Sequence, residues 1–406
     1  MSLQTTPTGD RIHIGFFGRR NAGKSSLVNA FTGQQLSVVS DVRGTTTDPV
    51  RKAMELLPLG PVMIVDTPGI DDEGALGALR IEKTRQELNR CDIALLVTDA
   101  TQPLQAADLD LIALFKTKRV PYLIVRNKCD LLPSLPKEPE EDTVYTSARK
   151  HFQIEELKVR VSQLTGSHAP AESPILGDLI STGDLVILVT PIDASAPKGR
   201  LILPQQQTIR DLLDHHATAL TVQPAELKSL LRSLNRPPRL VVTDSQVFQR
   251  VAQEIPPEIP LTSFSILFAR HKGDLAQLVQ GAAALDTIRT GDRILISEGC
   301  THHRQCGDIG TVKLPYWIRE HTKAEPEFTF TSGREFPEEL SSYRLIVHCG
   351  GCMLHQREMA WRQKSAAAQG IPMTNYGMLI AKIHGILPRA LALFPEAAIL
   401  PDSSAK

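Results

Sequence analysis

The sequence predicts an α/β protein built on parallel sheets, and three observations carry that expectation. Short apolar runs alternate with helical patterns along most of the chain. A glycine-rich turn separates the first such run from the first helix. Two later runs end in cysteines and glycines, at the strand edge where ligands of parallel sheets gather. The 406 residues allow roughly two to four domains. Expected divisions are 1–168, 175–268 and 269–406, with GSHAPAESP as the first linker.

In the first segment, Ile12, Ile14 and Phe16 alternate as a strand, followed by GRRNAGKSS and a helix through Leu27, Val28 and Phe31. Gly18, Gly23, Lys24 and Ser25 complete GxxxxGKS, a loop whose backbone N–H groups cradle phosphates. Lys24 supplies charge to the β- and γ-phosphates, and Ser25 a hydroxyl to Mg²⁺. Asn21, Ala22 and Ser26 complete the loop. The strand VMIV (62–65) ends in Asp66 and TPG, which brings a carboxylate towards Mg²⁺ through water and the Gly69 N–H towards the γ-phosphate. Between them, GTTTDP can place a threonine on the metal, Thr46 first and Thr47 second. The strand PYLIVR leads into Asn127, Lys128 and Asp130. The Asp130 carboxylate can accept from the N1–H and exocyclic amine of guanine, a donor pair adenine lacks, so the ligand reads as GTP and GDP. The backbone at Ser147 and Ala148 can touch the guanine carbonyl. The catalytic set is Lys24, Thr46, Asp66 and Gly69. Ile70 stands where a side chain could orient water but cannot polarise it, so turnover should be slow. A helix at 153–164 closes the domain.

The middle segment reads as strands at 185–192, 220–223, 239–243 and 262–269, with helices at 205–216, 224–233 and 245–254. It carries no clustered base, nucleophile and acid, and so reads as a scaffold or oligomerising domain. Lys198 and Arg200 are its one charged oddity.

In the last segment, GDRILIS leads to Cys300, His302 and His303, and YRLIV leads to His348, Cys349, two glycines and Cys352. If the two strands are neighbours, Cys300 converges on the CGGC loop. Three cysteines with a histidine suit zinc, three cysteines suit an iron–sulfur cluster with one differently ligated iron, and CGGC alone suits a redox dithiol. Cys306 is an extra thiol nearby; Cys91 reads as core, and Cys129 sits where no thiol is needed. Residues 307–322 and 355–369 read as helices. In the second, Met359 and Trp361 read as packing, and Arg357, Arg362 and Lys364 as a solvated face able to attract an anion.

Composition narrows the functions. With 45 basic and 45 acidic residues the chain has no charge bias towards nucleic acid or membrane. Six cysteines are too few for a disulfide scaffold. No signal-like segment opens the sequence, and MLIAKIHGILPRALALF is interrupted by Lys382, Pro388 and Arg389. A cytoplasmic protein with no membrane span is expected.

The nucleotide motifs resemble the translation-factor-like P-loop GTPases of the TrmE/Era branch, tRNA-modification and ribosome-assembly enzymes among them. In that branch, an asparagine at the position of Asn21 implies K⁺-dependent hydrolysis. A GTPase of this kind followed by CxH and HCxxC is similar over its whole length to the HydF family, GTPases and scaffolds of [FeFe]-hydrogenase maturation. The resemblance implies two smaller α/β domains with mainly parallel sheets, one of them dimerising. It also implies a [4Fe–4S] cluster on Cys300, Cys349 and Cys352, with His302 and His348 as fourth ligand or supporting groups. Its expected cargo is a transient diiron precursor. The expected partners are a second copy in a homodimer, the apo-[FeFe]-hydrogenase, and two radical-SAM maturases of the HydE and HydG types. A ribosome- or tRNA-directed GTPase with a zinc-stabilised tail, and a GTPase switched by the CGGC dithiol, are the alternatives.

Overall fold

Strands buried on both faces and joined by helices can only lie in a covered, mainly parallel sheet, and three such sheets form here. The computed structural model describes residues 8–33, 50–57, 59–69, 83–136, 140–168, 174–192, 201–299, 308–333 and 335–394. The chain divides into two compact units, Met1–Ala171 and Glu172–Lys406.

The first unit contains β1 (Ile12–Phe17), α1 (Lys24–Thr32), β2 (Val50–Leu56), β3 (Gly60–Asp66) and β4 (Ile93–Asp99). After them come α2 (Ala106–Thr117), β5 (Tyr122–Asn127), β6 (Thr143–Tyr145) and α3 (Ile154–His168). The sheet order is β2-β3-β1-β4-β5-β6, parallel except for β2. Successive side chains of β1 serve opposite faces, as the strand period requires. Phe16 packs with Leu27, Phe31 and Leu157. Phe17 packs with Leu88, Phe115 and Cys91, the cysteine expected in the core.

The second unit opens with β7 (Leu185–Val189), α4 (Leu203–Asp214), β8 (Thr218–Val222) and α5 (Leu227–Ser233). It continues with β9 (Leu240–Thr243), α6 (Phe248–Glu254), β10 (Leu261–Ser263), α7 (Phe264–Lys272) and α8 (Leu275–Ala283). Next are β11 (Arg293–Glu298), α9 (Leu314–Thr322), β12 (Glu327–Ser332), β13 (Leu345–His348) and α10 (Gln356–Ala368). The last elements are β14 (Met373–Asn375), α11 (Tyr376–Ile383) and α12 (Leu387–Leu391). The sheets run β10-β9-β7-β8 and β12-β11-β13-β14, each of four strands and wholly parallel.

Read from their first strands, the two sheets share one topology, which makes them copies of a single β/α unit. The sequence carries a trace of the repetition. PLTSFSILFARHKGDL (260–275) and PMTNYGMLIAKIHGIL (372–387) match at a proline, a threonine, two leucines, an alanine and a glycine. The copies also exchange parts. α8 of the first packs on β14 of the second, and α12 of the second on β10 of the first. Gln277 and Arg389 hold equivalent places: Gln277 Nε2 donates to Gln363 O at 3.0 Å, and Arg389 Nη1 to Ala252 O at 3.0 Å. One continuous core, from Val186 and Val241 to Ile346 and Met378, joins the two sheets.

Three expectations are corrected. The strand at 262–269 is a strand only through Ser263, whose hydroxyl caps α7 by accepting from Ile266 N at 3.3 Å. A short apolar run buried all round has no period that separates strand from helix. The helix at 307–322 divides into a π turn, Ile309–Lys313, and α9. Arg362 is fully buried and does not belong to a solvated face. Among the described residues no helix is long and apolar enough to cross a membrane; the run from Met378 breaks into α11 and α12.

Candidate functional site

The parallel strands of the first unit bring four loops to one sheet edge. After β1, Gly23 caps α1 with φ 87°, a conformation open to glycine. A Cβ there would lie 2.3 Å from Asn127 Nδ2. Asn21 also has positive φ, 60°, which asparagine tolerates better than most residues. The Lys24 ammonium donates to Gly18 O at 2.9 Å and Arg19 O at 2.8 Å, which folds it over the loop. Ala22 is buried and Ser26 lies in the first turn of α1. Ser25 Oγ donates to Asp66 Oδ2 at 2.8 Å. The other Asp66 oxygen is buried and accepts no hydrogen bond among the described residues. A hydroxyl beside an underused buried carboxylate fits a Mg²⁺ ion, which takes hard oxygen donors and keeps several waters. Gly69 packs on the loop, its missing Cβ 2.9 Å from Arg20 Cα.

The base-reading loops are braced to the phosphate loop. Asn127 Nδ2 donates to Ala22 O at 3.1 Å, and Asn127 Oδ1 accepts from Ala148 N at 3.1 Å. Burial acts to raise the Asp99 carboxyl, but the Lys128 ammonium, 2.7 Å away, and the Thr101 donors outweigh it and hold Asp99 ionised. The Ser147 hydroxyl holds the half-buried Asp130 carboxyl below its ordinary range, so the acceptor is ionised. Arg19 Nε binds Asp108 at 3.2 Å, with Asp108 fully buried; this tie between the phosphate loop and α2 is absent from the motif reading. Thr46, Thr47 and Ile70 lie outside the described residues.

In the second unit β11 and β13 are neighbours, with Ser297 opposite His348. The sheet order reverses at this pair, since β12 lies beyond β11 and β14 beyond β13. Such a switch point opens a crevice at the strands' C-terminal ends. Cys349 sits there, its Sγ receiving Gly299 N–H at 3.0 Å and Gly351 N–H at 3.4 Å. Two amide dipoles directed at one sulfur favour a thiolate and suit a ligand to zinc or an iron–sulfur cluster. Gly299, the last described residue before Cys300, therefore contacts the CGGC loop. Cys300, His302, His303 and Cys306 themselves lie outside the described residues, as do Lys198 and Arg200. Among the described residues no three His, Cys, Asp or Glu side chains gather into a metal-holding group.

His348 is fully buried, and both its ring nitrogens are engaged. Arg362 Nη1 lies 3.0 Å from Nε2, and Cys349 O 2.8 Å from Nδ1. A guanidinium only donates, so Nε2 accepts and Nδ1 carries the proton. Arg362 also binds Glu358 Oε1 at 2.8 Å and donates to Ser297 Oγ at 3.3 Å and Gly333 O at 3.2 Å. On the other side of β11, Tyr376 OH donates to Glu298 Oε1 at 3.2 Å. Burial, together with the nearby Cys349 and Glu298 charges, pushes the Tyr376 phenol well above its usual range.

Comparison with known proteins assigns the parts. Residues 175–273 match the hydrogen maturase F dimerization domain and residues 276–393 its tetramerization domain, together more than half of the chain. The chain belongs to the hydrogen maturase F family. Residues 13–128 match the model of 50S ribosome-binding GTPases. The tRNA modification GTPase MnmE of Bordetella avium is 38% identical over 167 residues, 41% of this chain and 36% of that protein. MnmE of Helicobacter pylori (strain Shi470) is 39% identical over 126 residues, 31% of this chain and 28% of the relative. The chain thus spans about a third of the length of these relatives. Among solved structures, Aquifex aeolicus Era bound to GDP and AlF4⁻ is 20% identical, with 55% of this chain and 98% of that one covered and a TM-score of 0.35. The first unit is a GTPase domain, and the hydrogen maturase F domains occupy the second. The motif reading missed Asp108, whose partner Arg19 lies 89 residues away, and placed Arg362 on a solvated face although it is buried against Glu358 and His348. Glu358 and Arg362 do stand four residues apart on a helix, but that spacing commonly marks a surface pair.

Proposed function

We propose that this hydrogen maturase F chain is a slow, regulatory GTPase and a [4Fe–4S] scaffold that carries a diiron precursor to apo-[FeFe]-hydrogenase. The observation that carries the cluster half is Cys349 at the β11/β13 switch point, with two N–H groups on its sulfur. Cys300, Cys349 and Cys352 are the proposed ligands. The bound cluster would supply an iron site for attaching the precursor. The engaged nitrogens of His348 support its role as a brace for the loop and leave the fourth position to His302 or an exchangeable group. Lys24, Ser25, Thr46, Asp66 and Gly69 serve Mg²⁺ and the γ-phosphate. Asn21 would place K⁺, although its left-handed backbone accounts for asparagine without a cation. The protein works as a homodimer or larger assembly through residues 175–268, holds the cluster in 269–406, and meets two radical-SAM maturases and the hydrogenase.

Anaerobic reconstitution followed by iron and sulfide analysis and EPR tests the reading. About four irons per chain with matching sulfide, lost in Cys300→Ala or Cys349→Ala, is the expected result. One zinc and no sulfide would sink it.

A further inference from the structure

The middle copy of the β/α unit reaches into the cysteine loop of the last copy through one side chain. Lys272 ends α7, the helix that follows edge strand β10 of the first sheet. It is 3% exposed. Its ammonium donates to Cys352 O and Leu354 O, each at 2.9 Å, and to Gly351 O at 3.5 Å. An ammonium has three N–H donors and no acceptor, and the loop turns three carbonyls to it. Burying this charge without such partners would be strongly unfavourable. The same helix begins against the loop, since Ser265 Cα and Oγ both lie 4.0 Å from the Cβ position of Gly350. α7 therefore lies alongside the CGGC segment and is bonded to it through its last residue.

We propose that Lys272 is a positioning residue for the cysteine loop. Through it, the part of the chain that matches the dimerization domain becomes a structural component of the cluster site. The proposal rests on the cluster reading above only for what the ordered loop holds; the ordering is tested by itself. Lys272 gathers the carbonyls of 351, 352 and 354 to one side. The Gly351 N–H is then left directed at Cys349 Sγ, and Cys352 is set at a fixed spacing from it. Without the ammonium those three carbonyls have no common donor, and the loop turns towards water.

The test compares the full chain with Lys272→Met and Lys272→Gln, and uses Arg210→Met, which breaks only an exposed pair with Asp214, as a control. In metal-free protein, hydrogen exchange of peptides covering 349–355 should rise by about tenfold or more in Lys272→Met and less in Lys272→Gln, which keeps two donors. Tryptophan fluorescence verifies that each variant is folded. In reconstituted protein, Lys272→Met should release iron to a chelator about tenfold faster and give a changed EPR spectrum of the reduced cluster, with Arg210→Met matching the parent. Unchanged exchange in both folded variants overturns the proposal. A parent chain that binds no iron and sulfide overturns the cluster reading instead, and the exchange result then decides the role of Lys272 alone.

Discussion

Replacing Arg362 by methionine tests whether the ion pair behind His348 governs the stability of the second unit. The Arg362 side chain is 0% exposed and that of Glu358 2%. The substitution leaves the Glu358 carboxylate buried without its countercharge, which costs about 3–5 kcal/mol. It also strips the donor from His348 Nε2. Against a typical total stability of roughly 5–15 kcal/mol, the loss is large. The two tryptophans of the chain, Trp317 and Trp361, both belong to this unit, so fluorescence in a urea titration reports it selectively. At a slope near 3 kcal/mol/M, the midpoint should fall by about 1–1.7 M. Arg362→Met combined with Glu358→Met should recover most of the loss, because two apolar side chains can replace a buried ion pair at little cost. Recovery will be incomplete, since His348 still lacks its donor. A single variant within about 1 kcal/mol of the parent, or a double variant no better than the single, refutes the reasoning.

Asp130→Asn should weaken GTP binding by about two to three orders of magnitude, through loss of two charge-assisted hydrogen bonds. It should gain affinity for xanthosine triphosphate, whose C2 carbonyl can accept from the new amide; a fluorescent-nucleotide titration reads both. Lys24→Ala should abolish GTP hydrolysis in a phosphate-release assay and leave the iron and sulfide content of reconstituted protein unchanged. His355 caps α10 by accepting from Arg357 N, and burial, aided by the Lys272 and Arg357 charges, lowers its pKa to about 4. The unfolded chain protonates this histidine near 6.5 and the folded chain only near 4, so stability falls as pH drops through that window. The parent should therefore lose about 2 kcal/mol more than His355→Gln between pH 7 and pH 5, measured as urea midpoints.

What was legible in the sequence was contiguous. Gly18 to Ser25, Asp66 to Gly69 and Asn127 to Asp130 are short segments bounded by strands, and their chemistry depends on neighbours a few residues away. The place of Cys349 just after a strand was legible for the same reason. Register was not: that Ser297 lies opposite His348 depends on strand order, which alternation does not encode. Lys272 finds its acceptors about eighty residues away, and Asp108 meets Arg19 across a similar gap. A lysine at a helix end and an aspartate in a first turn are each locally ordinary. The repeat is faint in the sequence because its positions are packing positions, where similar size suffices and identity is not required.

That repetition sharpens what the cysteines do. In the first copy, the strand end equivalent to His348–Cys349 is closed by the protein itself. Asp244 Oδ1 accepts from Gln246 N at 3.1 Å, Ser245 Oγ meets Ser265 Oγ at 3.0 Å, and the missing Cβ of Gly377 is 3.2 Å from Ser245 Oγ. In the second copy, the same edge turns two N–H groups onto a sulfur, while Lys272 and Arg362 brace the backbone and the histidine around it. One scaffold thus has its switch point finished in two ways, with local caps in one copy and with thiols in the other. A purely structural loop would need nothing beyond the first arrangement. The second brings two buried cations and a buried histidine to bear on a segment of four residues, CGGC, an arrangement that supports the proposed cluster site, whose ligands would need fixed geometry.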